Sequence, residues 1–392
     1  MISASDMNGV DMNGVDMNGV DVPSAGILQF GTSRFLLAHV DAFVSASLAA
    51  GHTQKRVVVV QSSPRPTGRD KAHALMRLRR YPLRIRGRRD GQDIDETHQI
   101  DALAGCLIAD EQWATLEALF VEHITHVVSN TADRGYEVAE GDSPCAALPR
   151  SFPCRLLKLL RARFEAGREG VTLMPCELLS DNGQVLRRLM LDLAGEHYAD
   201  DAFRDWLKIQ CLWVDTLVDR IVSEALEPVG AVAEPYALWA VRRVPGLEMP
   251  CCHPDVHLVD EVEPFEKQKL HILNLSHTFL VHQWQSQSLT DEITFVREAV
   301  ADPRLRAPLE ALLDEVVALL ARAFPMLDPA AYRATTLERF ENPFLDHRLA
   351  DIADNHDAKC QRRVMPLLAL AEQHDMNLPL LRAFAAEIDG RR

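Results

Sequence analysis

Four short, almost continuously apolar runs punctuate the first half of the chain: GILQFG (26–31), RVVVVQS (56–62), HVVSNT (126–131) and VTLMPCE (171–177). Strands covered on both faces read this way, because no position along them has to face water. Between the runs, apolar residues recur at helical spacing over 35–50, 111–123, 152–166 and 184–197. Strand and helix in alternation predict right-handed crossovers and a doubly wound, mostly parallel α/β sheet. One stretch breaks the rhythm. YPLRIRGRRDGQDIDETHQI (81–100) alternates apolar and polar positions around Asp90 and Gly91, which predicts an inserted β-hairpin. From residue 267 onward the pattern is helix after helix. The predicted layout is a leader over 1–22, a dinucleotide-binding-type sheet domain over 23–255 and an all-α C-terminal domain over 256–392.

The leader repeats the pentapeptide DMNGV at 6–10, 11–15 and 16–20. A five-residue period fits neither helix nor strand, and Asn-Gly pairs favour turns, so the segment reads as disordered. A calcium cage built on its aspartates would lack side-chain ligands. The 392 residues are 47% hydrophobic and 25% charged, the make-up of a soluble globular chain. A net charge of -15 argues against nucleic acid or an anionic membrane surface as partner, while leaving room for a local cationic pocket. Eight irregularly spaced cysteines, without a signal-like or membrane-length apolar segment, predict reduced thiols and a cytoplasmic setting.

The first run leads into a candidate nucleotide loop. Phe30, Gly31, Thr32, Ser33, Arg34 and Phe35 carry strand into helix with one glycine where a Rossmann-like G-x-G-x-x-G has three. Gly31 fills the tight-turn position. Ser33 stands where backbone would approach a pyrophosphate, and offers a hydroxyl and an amide instead. The second strand ends in Gln61, not in the acid that usually holds a ribose 2′-hydroxyl; with Arg65 and Arg69 nearby, NADP is not excluded beside NAD. Ser129, Asn130 and Thr131 close another strand at its ligand-binding end. Capping of the next turn is the alternative reading of these groups.

The richest chemistry lies in KQKLHILNLSHTFL (267–280). Lys269, Asn274 and His277 fall at 0°, 140° and 80° on a regular helix, on one face about 140° wide. A lysine beside a cationic nicotinamide is driven toward its neutral, proton-accepting form, and an amide and an imidazole can steady charge on the alcohol oxygen it deprotonates. A solvated lysine and an ordinary core histidine are the structural alternative.

K-x4-N-x2-H resembles the catalytic motif of the polyol-specific long-chain dehydrogenases, the family of mannitol dehydrogenases and of fructuronate and tagaturonate reductases. ILQFGTSRFLLAHVD, VVSNTADRGY, PCELLSDNGQVLRRLML, TLVDRIV, AEPYALWAV and LERFENPFLDHRLADIADN are similar to segments along that family's length. Cys176-Glu177-Leu178 resembles the tagaturonate reductase (altronate oxidoreductase) branch, where mannitol- and fructuronate-type members read C-D-N. The resemblance implies a metal-independent, NAD-using oxidoreductase that interconverts a small-molecule sugar acid and its keto form, as a monomer or small homo-oligomer. It implies Lys269 as acid/base, Asn274 and His277 on the reacting oxygen, and Glu177, Glu234, Lys359 and Arg363 as substrate contacts. Leu275 departs from the glycine usual in N-G-x-H. A mannitol or fructuronate substrate, or cofactor binding with little turnover, are the alternatives.

Other clusters have plainer readings. Cys251, Cys252, His253 and His257 are too closely spaced for one tetrahedral zinc. Seven arginines between 77 and 89 suit the solvated face of a hairpin.

Overall fold

The computed structural model describes residues 19–63, 65–131 and 135–389, so most of the repeat leader lies outside the described residues. Its last part is described: Val20 is buried and the Asp21 amide donates to the Ala104 carbonyl at 2.9 Å. The first eight strands are β1 (Ala25–Phe30), β2 (Arg56–Gln61), β3 (Tyr81–Arg89), β4 (Gln92–Ile100), β5 (Leu103–Ile108), β6 (His126–Ser129), β7 (Thr172–Pro175) and β8 (Leu212–Trp213). Six form a sheet in the order β5-β2-β1-β6-β7-β8, and every pairing is parallel. Phe30, Val58, Val60 and Val127 are fully buried, as double coverage requires, and Phe120, Leu156 and Leu160 pack with them in one core. The chain runs outward from β1 in one direction and returns to continue from β6 in the other. Ligands of open parallel sheets bind beside such a reversal, at the strands' carboxyl ends.

The hairpin forms where the alternation places it. Asp90 and Gly91 join β3 to β4 with φ of 54° and 74°, a two-residue loop whose positive φ at both positions matches the strand twist. Its arginines are engaged: Arg88 pairs with Asp93 at 3.0 Å and Arg86 with Asp95 at 3.2 Å. The sequence did not predict β5. Its residues, LAGCLI, include alanine and glycine where a buried strand commonly carries β-branched residues, which weakens the local signal. The helix expected over 35–50 is two, Arg34–Ala38 and Val40–Ala49, broken at His39 (φ -121°, ψ -84°). The His39 ring stacks on Phe35 and bonds the Leu238 carbonyl at 2.9 Å, which holds the break in place.

Just past that break lies a buried acid. Asp41 is fully buried and lies 2.8 Å from the Tyr81 hydroxyl, which also lies 2.9 Å from the Leu37 carbonyl. One hydroxyl hydrogen cannot serve both acceptors, so a protonated Asp41 supplies the second. Burial pushes Asp41 from the ordinary 3.8 to about 7, against the opposing bonds from Tyr81 and Gln29. A folded value raised above the unfolded one stabilises the fold fully below pH 3.8, and the gain disappears as pH rises through 7. Asp41→Asn, neutral at every pH, should therefore exceed the wild type by about 4 kcal/mol at pH 8 and match it near pH 4. Urea unfolding midpoints at both pH values measure this; equal pH dependence in the two proteins would remove Asp41 as its source.

By contact density the chain forms two units. The first comprises 1–84, 97–233 and 237–262; the second 85–96, 234–236 and 263–392. The second is helical from Glu263–Gln268 to Pro379–Asp389, with no strand among its described residues after 262. Its central helix, Pro303–Ala323, buries Leu305, Leu309, Leu312, Leu313, Val316, Leu319 and Leu320 along one stripe. Proline at the first helical position and Asp302, accepting from the Arg304 amide at 2.8 Å, fix where that helix starts. No described helix is long and apolar enough to cross a membrane.

Candidate functional site

At the reversal point of the sheet, Gly31 leaves β1 with φ 119°, a region open to glycine. A Cβ there would lie 3.3 Å from the Asn130 carbonyl, so a side chain would be strained twice over. Ser33 then caps the helix Arg34–Ala38 without bonding it: its Oγ is buried with no hydrogen-bond partner among the described residues. A buried hydroxyl without a partner costs about 1–3 kcal/mol, and a phosphate oxygen at this loop would satisfy it. Thr32, Arg34 and Phe35 flank it at the surface or half-buried. These features fit the pyrophosphate of a dinucleotide.

Gln61, at the end of β2, turns its amide onto the Ser63 carbonyl. Arg69 is shared between Asp110 at 3.2 Å and Glu111 at 2.8 Å, and buried Arg155 also donates to Asp110. Of the two arginines beside this strand end, Arg69 is therefore already opposed by two carboxylates.

The end of β6 is organised by Glu177. Its carboxylate accepts from Ser129 Oγ at 3.1 Å, from the Thr131 amide and hydroxyl at 2.9 Å each, and from Tyr136 at 3.2 Å. Asn130 donates to the Cys176 carbonyl at 2.6 Å. Burial pushes the Glu177 carboxyl above its usual value, and the bonds from Thr131 and Ser129 only partly restore it. The structure thus brings together Ser129, Asn130, Thr131 and Glu177 as one clamp in which the acid holds protein donors. Its neighbour Leu178 is 75% exposed.

In the second unit, Lys269–Asn274 is a π-turn, followed without interruption by the α-helix Leu275–Ser286. The regular-helix angles assumed above do not apply here. An i→i+5 turn brings its fifth residue back to within roughly 40° of the first, as an α-turn does its fourth. Asn274 then lies roughly 40° from Lys269, and His277, three α-residues further, returns to within roughly 20°. The face that holds the three positions narrows from about 140° to about 60°. Lys269 and Asn274 are half-buried and His277 is 8% exposed. The His277 ring is held between Phe340, 4.3 Å away, and edge-on His347, 4.8 Å away. Burial holds His347 below its usual pKa, toward the neutral imidazole.

The remaining predicted contacts are engaged within the protein. Arg339 meets the Glu234 carboxylate through Nε at 2.9 Å and Nη2 at 2.7 Å, with both side chains 3% exposed, and it stacks on Tyr236 at 4.3 Å. Lys359 donates to the Ile352 carbonyl at 2.8 Å. Arg363, 8% exposed, donates to the Asn274 carbonyl at 2.7 Å. Phe340, His347, Arg339 and Tyr136 are the residues sequence reasoning missed. All four lay inside stretches already singled out, VVSNTADRGY and LERFENPFLDHRLADIADN, but no spacing rule ties a ring or arginine 60 or more positions away to Lys269 or Glu234.

Two known family models match the chain. A mannitol dehydrogenase Rossmann domain matches residues 25–248, and a mannitol dehydrogenase C-terminal domain matches residues 261–388. The chain belongs to the mannitol dehydrogenase family. Among its relatives, the altronate oxidoreductase of Halalkalibacterium halodurans is 31% identical over 364 residues, covering 87% of this chain and 69% of that protein. The Yersinia pestis altronate oxidoreductase is 30% identical over 385 residues, covering 92% and 78%. Solved structures share the fold. D-sorbitol dehydrogenase superposes with a TM-score of 0.78 at 21% identity, over 99% of this chain and 85% of its own. Pseudomonas fluorescens mannitol 2-dehydrogenase, solved with NAD and D-mannitol, gives 0.71 at 21% identity, over 94% and 80%. The family expected from K-x4-N-x2-H is thereby established, and with it a dehydrogenase fold.

Proposed function

We propose that this mannitol dehydrogenase family member interconverts a sugar acid and its keto form, of the altronate/tagaturonate type, with NAD as cofactor. The observation that carries the reading is the π-turn, which gathers Lys269, Asn274 and His277 onto one narrow face. Altronate oxidoreductases among the relatives support the substrate class. The NAD complex of the mannitol 2-dehydrogenase, the partnerless Ser33 hydroxyl and the opposed charge of Arg69 support the cofactor.

The nicotinamide, when bound, takes up or supplies the hydride. Everything else belongs to the chain. Gly31, Thr32 and Ser33 hold the pyrophosphate, with Phe30, Arg34, Phe35 and Gln61 around it, and the Ser129–Thr131 clamp lines the strand end. Lys269 Nζ accepts the hydroxyl proton during oxidation and returns it during reduction. The Asn274 amide and the His277 ring donate to the same oxygen, where negative charge develops. No step requires a metal. Lys359 is the cation assigned to the substrate carboxylate, with Nζ hydrogens to spare beyond the bond to Ile352 that it makes among the described residues. Glu177 and Glu234 act by holding the loops they bond.

The test follows absorbance at 340 nm as purified protein meets NADH or NADPH and a panel of keto-uronates and neutral ketoses. Oxidation of NADH with a keto-uronate in preference to fructose is expected. Turnover with neutral ketoses alone would favour the mannitol-type reading, and none with any pair would overturn the reductase assignment.

A further inference from the structure

The π-turn raises a problem of its own. An inserted residue disrupts the regular i→i+4 ladder: the Leu275 amide donates to the Leu270 carbonyl five residues back, as well as to Ile272. Three side-chain donors fasten carbonyls of this segment. Ser276 Oγ donates to the Ile272 carbonyl at 2.5 Å, and Thr278 Oγ1 to the Asn274 carbonyl at 3.2 Å. The third comes from a different helix, His356–Gln373: Arg363 Nη1 donates to the same Asn274 carbonyl at 2.7 Å and contacts the Thr278 hydroxyl. The tie is reciprocal. His271, inside the π-turn, donates its Nδ1 hydrogen to the Arg363 backbone carbonyl at 3.1 Å. Burial lowers His271 to about 4, so at neutral pH the ring is uncharged and this bond fixes its tautomer.

We infer that Arg363 is a positioning residue: by gripping the Asn274 carbonyl while His271 grips its own, it locks the π-turn that puts Lys269 and Asn274 on one face. A charge-assisted donor on a backbone carbonyl is a stronger fastening than a neutral one. Arg363 thereby sets where the Asn274 amide points without touching the substrate. The chemistry of the face rests on the function proposed above; the lock itself does not.

The two are tested separately on the full chain. Arg363→Gln should lower kcat by about 10–100-fold, the worth of one charge-assisted hydrogen bond, with KM changed by less than about threefold. The loss should be the same for a keto-uronate and for a neutral ketose, and Arg363→Lys, which keeps a cationic donor, should fall between. Hydrogen exchange of peptides spanning 265–285 should quicken by about tenfold or more in Arg363→Gln, while peptides spanning 25–45 remain unchanged. A rise in KM confined to the carboxylated substrate, with kcat kept, would make Arg363 a substrate contact and overturn the inference; so would unchanged exchange over 265–285. If no substrate is turned over, the exchange measurement still decides the lock while the proposed reaction falls. Should Arg363→Gln fail to fold, Thr278→Val, which removes the shared hydroxyl, should shift exchange in the same direction, and no shift would count against the lock.

Discussion

Lys269→Ala should lower kcat by about 10²–10⁴-fold, the usual worth of a positioned general base, and leave NADH affinity within about twofold. The separation follows from where the groups lie. Lys269 opens the π-turn of the second unit, whereas Gly31, Ser33 and the Glu177 clamp that would hold the dinucleotide belong to the first. Fluorescence titration with NADH and steady-state rates with a keto-uronate measure the two quantities. A small primary amine added to the variant should restore part of the rate, since the missing function is proton transfer. Parallel losses in affinity and turnover would mean that Lys269 serves binding.

The second large effect concerns stability. Glu234 and Arg339 form a two-bond pair with both side chains 3% exposed. Arg339→Met removes both bonds that Arg339 makes to this buried carboxylate and should cost about 3–5 kcal/mol. At about 2–4 °C per kcal/mol for a unit of this size, the transition should fall by roughly 6–20 °C in scanning calorimetry. The double variant Glu234→Leu/Arg339→Met removes both charges and should recover much of the loss, because the penalty lies in the carboxylate left buried. A double variant no more stable than Arg339→Met would show that the pair is not the source. Glu234, expected from the sequence as a substrate contact, thus has a structural duty.

Expectation and structure part along a physical line. Buried parallel strands announce themselves, since VVVV at 57–60 and HVVS at 126–129 leave no water-facing position to fill. The hairpin was equally legible, from its alternation and its Asp-Gly turn. Strand β5 was not, for its small residues carry little β preference. Lys269, Asn274 and His277 could be named from spacing, but not the backbone beneath them: KLHILN shows no glycine or proline to mark a π-turn, and a regular helix spreads their positions over about 140°. The roles of Glu177 and Arg363 were hidden for a different reason. Each is defined by partners, Tyr136 and Ser129 for one and the Asn274 carbonyl for the other, that are 41 to 89 residues distant. Residue type reveals that such a group can bind; only the fold shows that it is already bound.

The interleaving of the two units also sets an order of events during synthesis. Residues 85–96 and 234–236 emerge before nearly all of the helical segment to which they belong. At about 5–20 residues per second, Arg339 leaves the ribosome roughly 5–20 s after Glu234, and Glu338 roughly 12–50 s after Gly91, whose amide it receives at 2.6 Å. For that interval the hairpin tip is exported without its partner, and the acid at 234 must stay in water. The six-stranded sheet can close meanwhile, since all its strands precede residue 214. The parallel-sheet half is thus positioned to form first, and the helix that carries Lys269 is added to a chain that is already half built.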